Sequence, residues 1–79
     1  MNRLTAEQAI FQKLCEKFKR DGKDDWENVY TLGRELGYSE DEVRHALRAF
    51  EKADPWHVEI HLTTRKHVRL TTPGKQACQ

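Results

Sequence analysis

The stretch "GYSEDEVRHALRAF" (residues 37–50) decides how this chain is read, because it carries a turn, a helix start and a buried stripe in immediate succession. Gly37 suits the left-handed conformation that ends a preceding helix. Ser39 and Glu42 then have the spacing of a capping box, in which each side chain satisfies a backbone N–H left unpaired at the helix start, while Tyr38 and Val43 flank the cap as a hydrophobic staple. Val43, Ala46, Leu47 and Phe50 recur at the spacing of one helical face. The spacing predicts a helix over 40–53, stopped by Asp54-Pro55, since proline disfavours helix for its predecessor and has no N–H to donate. Its first turn holds Glu40, Asp41 and Glu42, whose charges favour the positive end of a helix dipole.

Working outward toward the N-terminus, "LTAEQAIFQKLCEKFKRDG" (residues 4–22) places Ile10, Phe11, Leu14, Cys15 and Phe18 on one stripe, with Thr5 and Gln8 as a second capping box. A first helix is expected over 6–20, ended by a glycine in "DGKDD", with Asp24 or Asp25 capping the next. Trp26, Val29, Tyr30, Leu32, Gly33 and Leu36 then form the stripe of a short second helix over 26–36. Toward the C-terminus the period changes from 3.6 to 2. In "WHVEIHL" (residues 56–62), Trp56, Val58, Ile60 and Leu62 alternate with His57, Glu59 and His61, and in "HVRL" Val68 and Leu70 alternate with His67 and Arg69. These are strands over 56–62 and 67–72, joined by a polar turn at Thr63 to Lys66. Keeping both apolar sets on one face allows Glu59 or His61 opposite Arg69. Residues 73–79 read as a tail in which a helix starts and runs out of chain.

The 79 residues suffice for one domain with one small core. Hydrophobic content of 37% against 34% charged residues sets the chain apart from disordered sequences. No apolar run approaches the roughly 20 residues that span a bilayer, and the N-terminus lacks a signal-peptide block, so the expected compartment is the cytoplasm. In that setting Cys15 and Cys78, far apart and without a Cys-x-x-Cys neighbour, are expected to be reduced thiols. The net charge of +1 hides a division along the chain: residues 24–54 hold nine acids against four bases, whereas Arg65, Lys66, Arg69 and Lys75 follow Glu59 with no acid among them.

Three helices, a tight turn before the third, and a hairpin give an α+β architecture that resembles the winged-helix, or winged helix-turn-helix, superfamily. The resemblance is carried within "TLGRELGYSEDEVRHALRAF" by the small Gly33, the turn Gly37, Val43 and the Ala46-Leu47 pair. "LTTPG" (residues 70–74) is similar to the stretch that ends the wing strand in many bacterial winged-helix regulators. It covers about residues 5 to 75 and implies a module that binds duplex DNA in a regulatory role, with the third helix in the major groove and the wing against the adjacent backbone. The groove-facing positions implied are Ser39, Glu40, Asp41, Arg44, His45 and Arg48, and the wing contacts Arg65, Lys66 and His67, with Arg69 extending the basic strand. Arg44 or Arg48 suits a bidentate contact to guanine. Acids at Glu40 to Glu42, and at Asp24, Asp25 and Glu27, place carboxylates at both helix starts where phosphate would dock. DNA contact therefore falls on Arg44, His45, Arg48 and the wing. The alternative is a protein-interaction module that uses the acidic face of the second and third helices.

Other chemistry finds little footing. His57, Glu59 and His61 share a strand face at steps of roughly 6 to 7 Å, too far for His57 and His61 to meet at one tetrahedral ion. "HVE" matches the His-x-Glu of zinc deaminases without the Pro-Cys-x-x-Cys partner. Serine occurs once, at a cap, Cys15 lies on an apolar stripe, and the four glycines make no phosphate-cradling loop. Neither an enzyme nor a cofactor or metal is expected. The lack of a further C-terminal helix favours a monomer or weak homodimer.

Overall fold

The computed structural model describes residues 4–23 and 25–78, an α+β arrangement of four helices and one three-stranded antiparallel sheet among the described residues. In chain order these are α1 (Ala6–Asp21), β1 (Glu27–Asn28), α2 (Val29–Glu35), α3 (Glu40–Lys52), β2 (Val58–Ile60), β3 (His67–Leu70) and α4 (Thr72–Ala77). The sheet order is β1-β3-β2. Of the two registers open from the sequence, the one adopted pairs Glu59 with Arg69.

Both long helices begin as their sequences dictate. Thr5 caps α1 and Ser39 caps α3, each in a complete capping box with Gln8 and Glu42 respectively. Gly22 closes α1 at φ 68°, donating its N–H to the Phe18 carbonyl at 2.7 Å. Gly37 turns the chain between α2 and α3 at φ 87°. One fully buried aliphatic side chain comes from each of five elements: Ile10, Val29, Val43, Val58 and Val68. Each such burial stabilises by about 1.5–3 kcal/mol, so the core is built where α1, α2, α3 and the sheet converge. The α2–α3 contact is close because Gly33 faces Val43; a Cβ on Gly33 would overlap the Val43 methyl.

Helix α2 starts three residues later than its apolar stripe suggested. Glu27 and Asn28 form β1 and pair with β3, and Asn28 is the cap, its Oδ1 accepting from the N–H groups of Tyr30 at 2.9 Å and Thr31 at 3.1 Å. Trp26 thereby leaves the helix for the outer face of the sheet, where Arg69 lies 4.4 Å from its ring centroid. The first turn of α2 carries no acid. The screen of carboxylates expected there is absent at Asp25 and Glu27, and Asp24 lies outside the described residues.

Further expectations are overturned at the C-terminal end. The strands are shorter, at Val58–Ile60 and His67–Leu70, so Trp56 and Leu62 do not enter the core: they are 53% and 85% exposed. Trp56 instead donates its indole N–H to the Glu51 carbonyl at 2.8 Å. Thr71, read as strand, is the cap of α4, and its hydroxyl accepts from the Gly74 N–H at 3.1 Å. The expected tail thus contains a helix, seated close to the hairpin because Gly74 lies against the His57 carbonyl. Cys78 at its end is bonded to Cys15 of α1, with Cα atoms 5.5 Å apart, so the two cysteines are not reduced thiols. The sequence carries no sign of this pairing, because α4 brings Cys78 back over α1 only through tertiary packing. Disulfides persist in oxidising compartments, and the cytoplasmic expectation loses its footing accordingly. No helix among the described residues is long and apolar enough to cross a membrane.

Candidate nucleic-acid interface

The outward stripe of α3 consists of Asp41, Arg44, Arg48 and Glu51, spaced three or four residues apart so that each side chain neighbours the next. Its first half is internally paired. Arg44 donates to Asp41 at 2.9 Å and to Glu40 at 3.3 Å, which holds the guanidinium toward the start of the helix. Arg48 and His45 are exposed and make no ion pair or side-chain hydrogen bond among the described residues. Ser39 is occupied as the cap, its hydroxyl accepting from the Glu42 N–H at 3.2 Å.

The turn of residues 61–66 reaches the far end of the same stripe, where Arg65 forms an ion pair with Glu51 of α3. Arg65 adopts φ 52°, a left-handed conformation uncommon for a residue with a Cβ, and its N–H donates to the His61 carbonyl at 2.8 Å. The backbone of Lys66 is anchored on the other side, its carbonyl accepting from the Val29 N–H at 2.7 Å. Its side chain lines an open groove of about 360 Å³ with Thr31, Arg34, Tyr38 and Glu40. Neither Lys66 nor Arg34 has an ion-pair partner among the described residues.

His67 and Arg69 go elsewhere. On the outer sheet face Arg69 pairs with Glu59 at 3.0 Å and covers Trp26, while His67 Nδ1 lies 2.9 Å from the Thr64 hydroxyl. Of the eight candidate residues, then, Arg44, Arg48 and Arg65 share the α3 stripe through Glu51, with His45 beside it. Lys66 borders the groove between α2 and α3, Ser39 is a cap, and His67 and Arg69 belong to a separate face. Arg34 was not among the candidates, although its exposed place on the helix before the turn was visible in the sequence. The exposure of Trp56 and Leu62 was hidden by their correct alternation with Val58 and Ile60. No group of three or more metal-ligating side chains exists among the described residues.

The paired arginines are not thereby removed from use. Exposed ion pairs contribute only about 0–1 kcal/mol, so a phosphate can replace a carboxylate at an arginine with little loss. The surface is one of alternating charge, with Arg34, Arg48 and Lys66 free of ion pairs among the described residues. No protein family, curated protein or solved structure matches the chain.

Proposed function

We propose that this chain is a winged-helix module that binds nucleic acid, duplex DNA in particular, in a regulatory role, with α3 as the reading helix and the β2–β3 hairpin as the wing. The reading is of a binding module rather than an enzyme. Its main support is the Arg65–Glu51 ion pair, which joins the hairpin turn to the outward stripe of α3 and makes one surface of Arg44, Arg48 and Arg65. The order of helices and strands, with β1 pairing ahead of α2, supports it as well. The first turn of α2, capped by neutral Asn28, carries no acid, whereas the first turn of α3 carries Glu40, Asp41 and Glu42.

The test is a titration with random duplex at low and moderate salt. Binding at ~10–100 μM that weakens steeply with salt is expected, since phosphate contacts release condensed counterions. Lys66→Ala and Arg65→Ala should weaken binding to all sequences alike and lower the salt slope by about 1 each, whereas Arg44→Ala or Arg48→Ala should change sequence preference. No salt-sensitive binding in that range would overturn the reading. A second reading, a protein-interaction module, is favoured by the exposure of Trp56 and Leu62 beside the Glu51–Arg65 pair, since exposed aromatic and aliphatic anchors are typical of protein interfaces. In that case binding would be lost with Trp56→Ala and Leu62→Ser and would respond weakly to salt.

A further inference from the structure

We infer that the hairpin turn is a proton-operated latch, held closed by the neutral imidazole of His61. The backbone N–H groups of Thr63 and Thr64 both donate to His61 Nδ1, at 3.3 and 3.4 Å. A ring nitrogen accepts only through its lone pair, so Nδ1 is unprotonated and the ring carries its proton on Nε2. The same residue grips the turn a second time, its carbonyl accepting from the Arg65 N–H at 2.8 Å. These bonds hold Arg65 at φ 52°, a conformation that persists in a residue with a Cβ only where the surroundings enforce it. Protonation of His61 converts the shared acceptor into a donor aimed at two donors. The turn then loses two of its side-chain hydrogen bonds.

The surroundings give the added charge nowhere to go. On the outer sheet face the His61 ring stands T-shaped to the Trp26 ring, centroids 4.9 Å apart, and to the His67 ring, centroids 6.3 Å apart. Glu59 on β2 is held by Arg69 of β3, Glu27 of β1 is held by Lys17, and the cross-strand partner of His67 is the neutral Asn28. The turn itself contributes Arg65, already paired with Glu51, and Lys66. His67 lies on the same side, its Nδ1 2.9 Å from the Thr64 hydroxyl. Protonation of His61 therefore drives opening. What it frees is the segment carrying Arg65 and Lys66.

The experiment is 15N NMR on the intact chain, with amide-exchange protection measured at about pH 8 and about pH 5, the range of histidine titration. At the higher pH the His61 ring should show the Nε2–H tautomer. At the lower pH the protection of the Thr63 and Thr64 amides, corrected for intrinsic exchange, should fall roughly five-fold, the change expected for one lost hydrogen bond, while that of buried Val43 changes less than about two-fold. His61→Asn supplies a carboxamide oxygen that caps the turn without titrating, so its protection should be high at both pH values. In His61→Ala it should be low at both. An Nδ1–H tautomer at the higher pH, equal protection at the two pH values, or an undiminished pH response in His61→Asn would each overturn the latch.

A second arm rests on the DNA reading: duplex affinity should fall in acid for the native chain, against the trend that added positive charge would give, and not for His61→Asn. If no duplex binds at any pH, the DNA reading fails while the NMR arm still decides the latch.

Discussion

Gly33 has no room for a side chain, since any Cβ there would meet the Cγ2 methyl of Val43 across the α2–α3 contact. Alanine would gain up to about 1 kcal/mol in helix propensity. Overpacking against a fully buried valine costs about 1–3 kcal/mol, and the overlap involves a stiff β-branched side chain that cannot swing away. The steric cost exceeds the gain in propensity, so Gly33→Ala should lower stability by about 1–2 kcal/mol in urea denaturation. At this scale the sequence was informative wherever a residue's role is local. Ser39, Thr5 and Gly37 do what their neighbours along the chain require. It was uninformative wherever the role depends on a distant partner: nothing near Arg69 points to Trp26, and nothing near Arg65 points to Glu51. For that reason the candidate residues were individually plausible, yet their division into an α3 stripe, a groove and an outer sheet face was not legible.

Among the elements, α1 and α3 were legible because cap, stripe and stop agree. The start of α2 was not, because Trp26 falls by chance on the helical stripe while the next two residues, Glu27 and Asn28, are claimed by β3. A strand of two residues has no period to detect, and its pairing partner lies some forty residues along the chain. Asn28 carries the consequence, as it ends β1 and caps α2 with one carbonyl oxygen. Asn28→Ala should cost about 0.5–2 kcal/mol by chemical denaturation, and Asn28→Asp should largely restore the loss. A result in which alanine is neutral would mean that the helix start is set by strand pairing alone. The last element was hidden for a related reason: α4 spans only six residues, too few to be stable in isolation. It owes its form to Thr71, to the seat of Gly74 and to the bond at Cys78.

For the molecule as a whole the covalent link between α1 and α4 outweighs any single contact. Chain entropy alone gives a ceiling of about 4 kcal/mol for a loop closed across a separation of 63 residues, a large part of the 5–15 kcal/mol typical of a folded domain. Reduction, or Cys78→Ser, should therefore lower the melting temperature by several degrees, measured with and without a thiol reductant; an unchanged melting temperature would mean that the bond forms without stabilising the fold. The fold class was legible in the sequence because three periodic segments and a hairpin suffice to define it. The closure was not, since an apolar helical position and a chain end give no hint of each other. Its topological consequence is distinct from stability. Residues 15 to 78 form a ring that contains every loop of the described chain beyond α1, including the exposed turn with Arg65 and Lys66. A protease that cuts once in that turn linearises the ring without dividing the molecule. The two pieces remain one covalent particle, and they separate only when a reductant is added.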